Sequence, residues 1–106
     1  MNDPIFVESA RVFAANIVRQ GGPTFDHQLD WAFQRALDRA PNKDERRILK
    51  DFYRKNLLRF RAAPDSAAQL LSVGESPRAS GGEPETAAMA LVARAILNLH
   101  ETITRN

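Results

Sequence analysis

The segment His100-Glu101-Thr102-Ile103-Thr104 contains the first part of the zinc-protease motif His-Glu-x-x-His. In that motif two histidines bind zinc and the glutamate acts as the general base. The second ligand is missing here because position 104 is threonine, and the chain's other histidine is the distant His27. The chain has no cysteine, so a zinc site would need carboxylates to complete it. We therefore interpret His100 as a polar residue at a helix end and predict no metal site.

Serine residues could act as nucleophiles, and glycine pairs could form phosphate-binding loops. Neither residue type lies in the sequence motif that its chemistry requires. No serine lies in a Gly-x-Ser-x-Gly elbow, whose strained turn exposes the hydroxyl nucleophile. Gly21-Gly22 and Gly81-Gly82 are not followed by the Lys-Ser or Lys-Thr pair of a phosphate-binding loop. We interpret the first pair as a helix stop and the second as part of a loop.

Asp26 and Asp30 are one helical turn apart and could form a paired-carboxylate site. General acid catalysis, however, needs a carboxyl group whose pKa is raised by burial. Near the start of an exposed helix, we expect these carboxylates to interact with the helix dipole instead. The sequence therefore predicts no catalytic residue, and we interpret the chain by itself as non-catalytic.

Basic residues are concentrated between positions 43 and 61, and four of them fall on one stripe of a predicted helix. These four are Lys43, Arg47, Lys50 and Arg54. Such a stripe could neutralise the phosphates of a nucleic acid or the charges of an acidic polysaccharide. Asp44 and Asp51 lie within reach on the same helix and can neutralise the cations locally. We interpret the stripe first as a solvated face, disfavour nucleic acid and keep polyanion binding as the alternative hypothesis. Among partners for this face, we place an acidic protein surface above a polyanion.

Trp31 lies outside the apolar stripe of its own predicted helix. Tryptophan is enriched at the hot spots of protein interfaces, so the ring could be an interface anchor. We favour a half-buried residue at the edge of the core, with the indole N–H reaching a polar partner.

The composition is that of an ordinary globular protein. Of 106 residues, 43% are hydrophobic and 26% are charged, so one continuous core is feasible and the chain is read as a single domain. The absence of cysteine excludes disulfides and cysteine-based haem attachment within this chain. The longest nearly apolar run, residues 87–99, is interrupted by Arg94 and is too short to span a bilayer.

Apolar spacing and capping residues predict five helices and no strand. The first begins at Asn2 or Asp3 and ends at Gly21-Gly22-Pro23. The second is capped by Thr24, carries Ala40 on its apolar stripe and stops at Pro41. An Asn42–Glu45 capping box begins the third. Its predicted inward residues are Leu49, Phe52, Tyr53, Asn56, Leu57 and Phe60.

Two further helices complete the predicted architecture. Pro64 begins a short fourth helix that includes Val73 and ends at Gly74. Residues 74–83 are predicted to be an internal flexible loop. The fifth helix starts at Pro84 and is apolar nearly all round, so we expect it to be central. The predicted fold is an all-α, compact, irregular or orthogonal bundle.

Four segments, in order along the chain, carry a resemblance to a known family. They are residues 2–11 (Asn-Asp-Pro-Ile-Phe-Val-Glu-Ser-Ala-Arg), 33–41 (Phe-Gln-Arg-Ala-Leu-Asp-Arg-Ala-Pro), 71–77 (Leu-Ser-Val-Gly-Glu-Ser-Pro) and 96–105 (Ile-Leu-Asn-Leu-His-Glu-Thr-Ile-Thr-Arg). The set resembles the C-terminal part of a planctomycete-specific domain of unknown function. That domain usually forms the C-terminal end of large exported proteins that carry a cytochrome-c-like module upstream.

The resemblance implies that this chain is the C-terminal fragment of a larger domain and acts outside the cytoplasm, in the periplasm or at the cell surface. Any haem would belong to the upstream module, and no cofactor is expected in this chain. The upstream remainder of the parent would be the partner. We expect one surface near the start of the first helix to contact this partner, and we call it the seam. Its residues are Asn98, His100, Glu101, Thr102 and Arg105. A third hypothesis is that His100 or Glu101 completes an enzyme site with the missing segment.

Overall fold

The computed structural model describes residues 4–71 and 83–104, and these ranges form five helices with no strand among them. The helices are α1 (Pro4–Gln20), α2 (Phe25–Leu37), α3 (Lys43–Ala62), α4 (Pro64–Leu71) and α5 (Glu83–Thr104). The predicted all-α bundle is confirmed. The predicted cap at Asn2 or Asp3 and the predicted fourth-helix residues Val73 and Gly74 lie outside the described residues. So does the predicted loop, except for Glu83, the first residue of α5.

Local capping chemistry begins α2 and α3 where the sequence predicts. The Thr24 hydroxyl accepts a hydrogen bond from the His27 backbone N–H at 3.2 Å. At α3 the Asn42 side chain accepts from the Glu45 backbone N–H at 2.8 Å. The Glu45 carboxylate in turn accepts from the Asn42 backbone N–H at 2.9 Å, which completes the capping box.

The end of α2 differs from the prediction. The helix ends at Leu37, and Asp38 takes the left-handed conformation with φ of 56°. The Asp38 carboxylate accepts a hydrogen bond from Gln34 Nε2 at 2.8 Å, and such local bonding is one reason that aspartate tolerates this conformation. Ala40 therefore lies beyond the helix and is exposed, so its predicted place on the apolar stripe was wrong.

The centre of the bundle is α5, as predicted, and it contacts all four other helices. Seven of its apolar residues are at most 5% exposed, and four of them are alanines, which let neighbouring helices approach closely. These residues are Ala87, Ala88, Met89, Ala90, Val92, Ala93 and Ile96. Ala10, Ala14 and Ile17 of α1 and Leu29, Ala32 and Phe33 of α2 complete most of the main core.

A smaller cluster joins the other side of α5 to α3 and α4. It contains Phe60, Ala67, Ala87 and Ala88, and Leu57 and Leu70 pack against its edge. Phe60 is 3% exposed, so it anchors the C-terminal half of α3. This arrangement leaves one long side of α3 in solvent and positions the charged residues that follow.

Candidate functional site

Four charged side chains form an ion-pair network between α2 and α3. Arg46 Nη2 lies 2.6 Å from Asp30 Oδ1, and Arg46 Nη1 lies 3.4 Å from Asp26 Oδ1. Lys50 Nζ donates to Asp26 Oδ2 at 3.1 Å. All four side chains are between one-third and about one-half exposed. The network therefore lies at the surface and fixes the position of α3 relative to the first turn of α2.

The electrostatics of this network oppose acid catalysis. The hydrogen bond from Lys50 lowers the pKa of Asp26, and Arg46 lowers it further. The ion pair with Asp30 raises the pKa of the Arg46 guanidinium. A general acid at neutral pH needs the reverse shift in its carboxyl group. Asp26 and Asp30 thus have a structural role, because they bind the side chains of Arg46 and Lys50.

The predicted basic stripe divides into bound and unbound cations. Lys50 is held by Asp26, and Arg47 Nη2 lies 3.5 Å from Asp44 Oδ1 in an exposed pair on the same helix. Lys43 and Arg54 are exposed, and neither has a carboxylate partner among the described side chains, those of residues 8–70 and 83–100. The stripe consequently offers two cations to a partner without first breaking an ion pair.

A groove lies between α3 and α5, close to the predicted polar end. It has a volume of about 210 Å³ and is lined by Phe52, Leu91, Arg94, Ala95 and Asn98. Three of the five lining residues are apolar. The groove therefore offers an apolar surface with a guanidinium and an amide beside it.

The position of Phe52 corrects the sequence prediction. It was expected in the core, but 38% of the residue is exposed, whereas Asn56 on the next turn is 6% exposed. Asn56 satisfies its side-chain amide by donating to the Phe52 carbonyl at 2.8 Å, which makes its burial possible. The spacing of Ile48 and Phe52, four residues apart and beside the buried Leu49, is the sequence signal for this second apolar surface.

The predicted seam is only partly described. Asn98 and His100 are both exposed on α5, and Asn98 lines the groove. Glu101 and Thr102 belong to α5, but their side chains lie outside the described residues, as does the whole of Arg105. The predicted contact between this seam and the start of the first helix also involves side chains outside the described residues.

Trp31 is half-buried and packs against the main core, as predicted. Its ring centroid is 6.3 Å from that of Phe13, and the Arg35 guanidinium lies 4.9 Å from the Trp31 ring centroid. The arginine covers the indole by a cation–π contact. These contacts hold the ring at the edge of the core.

Arg11 is a buried cation that the sequence did not indicate. It is 3% exposed, and its Nη2 lies 3.8 Å from Glu8 Oε2 one turn earlier on α1. With Arg94 and Leu70 it borders a cavity of about 10 Å³ between α1, α4 and α5. That volume matches one water molecule, so the cavity is too small for an organic ligand.

The described residues contain neither a cluster of metal ligands nor a membrane-spanning helix. No group of three or more His, Asp or Glu side chains within those residues is arranged to hold a metal ion. No helix in the described ranges has both the length and the hydropathy needed to cross a membrane.

No family model matches this chain, and no curated protein or solved structure shows significant similarity to it. The resemblance to the planctomycete domain therefore stays a prediction.

Proposed function

We propose that this chain is a non-catalytic protein-interaction module, the C-terminal unit of a planctomycete-type exported protein with a cytochrome-c-like module upstream. The upstream remainder of the parent is its partner. Any haem belongs to that remainder. The proposal combines the sequence resemblance with the surface formed by α3 and α5.

The observation that carries the proposal is the groove of Phe52, Leu91 and Ala95 beside Asn98. Exposed aromatic rings at the edge of an apolar groove are typical anchors for protein partners, because burying such a ring removes a large apolar area from water. Asn98 belongs to the polar end for which the sequence predicts a docking role. An apolar floor with polar groups at its edge fits a protein segment better than it fits a small charged substrate.

The charge of α3 favours an acidic partner surface. This helix contains eight basic and three acidic residues, although the whole chain has a net charge of only +2. Positive charge is therefore concentrated on α3, the helix that contributes Phe52 to the groove. A complementary acidic surface would be steered towards this side of the molecule and oriented there.

Calorimetry with the separately expressed upstream part of the parent tests this function. We expect binding to the wild-type chain and at least ten-fold weaker binding to Phe52→Ala, since a groove-edge anchor is lost. Val18→Ala is the matched control, because Val18 is also 38% exposed but lies on α1. Absence of binding, or equal loss in both variants, contradicts the proposal.

The alternative function is polyanion binding by the stripe of Lys43, Arg47, Lys50 and Arg54. The observation in its favour is that Lys43 and Arg54 are exposed and bind no carboxylate within the described residues. Salt-dependent retention on heparin, lost in the double variant Lys43→Ala with Arg54→Ala, would support this alternative. The double variant Lys55→Ala with Arg59→Ala carries the same charge change elsewhere on α3 and is the control. Equal retention of both variants contradicts a specific stripe.

A further inference from the structure

One stripe of α3 faces solvent along the whole helix. Its residues are spaced alternately by four and three positions, as in the seam of a coiled coil. All six are exposed: Asp44, Ile48, Asp51, Lys55, Leu58 and Ala62. Ile48 is 55% exposed and Leu58 is 67% exposed, and neither lies on the face that carries the buried residues Leu49 and Phe60. The stripe therefore exposes two large aliphatic side chains that the fold itself does not cover.

When two copies of this stripe are placed side by side in opposite directions, their residues are complementary. Turned end over end about position 53, the stripe places Ile48 opposite Leu58 and Asp51 opposite Lys55. The turning point is near the middle of α3, which runs from Lys43 to Ala62, so two such helices overlap along their full length. Two antiparallel copies would form two Ile–Leu contacts and two Asp–Lys ion pairs. In a parallel pair, by contrast, Asp51 would face Asp51 and Lys55 would face Lys55.

We propose that α3 is a self-association surface, and that its occupant is the α3 helix of a second copy of this chain in a two-fold antiparallel arrangement. A two-fold interface uses the same patch on both copies, so the patch must be complementary to itself. The solvent-facing stripe of α3 meets this requirement in both apolar contacts and charge. The inference does not depend on the proposed docking function, because it rests on the solvent-facing stripe of α3; the two surfaces share only Phe52, which lies at the edge of the stripe.

The neighbouring residues make this association weak. On one side of the seam, the two Phe52 rings approach each other and add apolar area. On the other side, the two Arg54 guanidinium groups approach each other, and like charges there oppose association. A single pair of helices about 30 Å long also buries less area than a permanent interface. We therefore expect a reversible dimer that forms at high protein concentration.

Charge exchange at Asp51 and Lys55 tests the geometry. Sedimentation equilibrium of the wild-type chain up to millimolar concentration should show a monomer–dimer equilibrium. Asp51→Lys alone and Lys55→Asp alone should each dimerise at least ten-fold more weakly, because each places like charges face to face. An equimolar mixture of the two variants should associate again, since every lysine of one chain then faces an aspartate of the other.

The controls separate this surface from general charge effects. Asp65→Lys makes the same charge change as Asp51→Lys at an exposed position of α4 and should leave the dimer unchanged. Ile48→Ser with Leu58→Ser should abolish association while circular dichroism shows an intact helical fold, since both side chains are exposed. A wild-type chain that remains monomeric at millimolar concentration overturns the proposal. A dimer that both single charge variants leave unchanged, or a mixture that fails to associate, also overturns it.

Discussion

The ammonium nitrogen of Lys50 lies 3.1 Å from a carboxylate oxygen of Asp26, which joins the basic side of α3 to the first turn of α2. The same carboxylate also pairs with Arg46 at 3.4 Å. Asp26 thus interacts with two cations from another helix and lies near the positive end of its own helix dipole. Lys50 belongs to the predicted polyanion-binding stripe, but it already forms an ion pair inside the molecule. An external polyanion would therefore have to compete with Asp26 for Lys50.

We expect Asp26→Asn to lower the urea midpoint of unfolding by a small, measurable amount. The substitution removes the charge that Lys50 and Arg46 share, while Arg46 keeps its shorter contact with Asp30. Exposed ion pairs contribute little individually, so the fold should remain intact. Asp44→Asn is the matched control, because Asp44 pairs only at 3.5 Å with an exposed arginine of the same helix. A larger loss in the control than in Asp26→Asn would contradict the role of the network.

The stability of the fold should decrease as pH falls below about 4. Lys50 lowers the pKa of Asp26, Arg39 lowers the pKa of Glu45, and Arg61 lowers the pKa of Glu85. A carboxyl group with a lower pKa in the folded state binds protons more weakly when folded than when unfolded. Its stabilising contribution is therefore present above the unfolded pKa, near 4, and is lost as pH falls through the folded pKa.

Urea titrations between pH 2 and pH 7 measure this dependence. The slope of the unfolding free energy against pH should be smaller in Glu45→Gln than in the wild type, because one linked proton is removed. Arg39→Gln removes the cation of the same pair and should reduce the slope in the same direction. An unchanged slope in Glu45→Gln would show that the Arg39–Glu45 pair, 2.8 Å long, does not contribute to stability.

The sequence predicted those features that depend on a few neighbouring residues. The Asn42–Glu45 capping box and the Thr24 cap follow from local hydrogen bonding, so spacing alone located them. The apolar character of α5 likewise indicated its central position, because only a surrounded helix can be apolar on nearly all sides.

Features that depend on distant packing were not predictable in the same way. Phe52 and Phe60 are both aromatic residues of α3, and the placement of α4 and α5 decides which of them is covered. The pairing of Lys50 with Asp26 depends on how α2 lies against α3, and the sequence suggested only pairs within α3. The burial of Arg11 likewise results from three helices meeting around it. Each of these features requires the tertiary arrangement.

Phe33→Ala and Phe52→Ala should have clearly different effects on stability. Phe33 is fully buried at 0% exposure, so its truncation should lower the unfolding free energy by about 3–5 kcal/mol. Phe52 borders the groove, and its truncation should cost about 1 kcal/mol or less, as for other partly exposed positions. Equilibrium unfolding in urea measures both variants. Similar losses would contradict the placement of Phe52 at the surface.

Gly21→Ala should destabilise the junction between α1 and α2. A Cβ atom at position 21 would lie 2.5 Å from the Ile17 carbonyl oxygen and 2.9 Å from the Gln28 Cα atom, and both are backbone atoms that cannot move independently. The substitution must therefore separate the end of α1 from α2 or break the hydrogen bond of 2.8 Å from the Gly21 N–H to the Ile17 carbonyl. We expect a loss of about 1 kcal/mol or more in the unfolding free energy, as is usual where alanine is incompatible with the native backbone.

Gln20→Ala is the control for this junction. It lies next to Gly21, is exposed and occupies the last residue of α1, where alanine is well tolerated. The Gln20 variant should unfold at nearly the wild-type urea concentration, and the Gly21 variant should unfold at a clearly lower one. Equal midpoints for the two variants would mean that α1 and α2 can separate at this point at little cost. In that case the close approach at Gly21 would not determine the angle between the two helices.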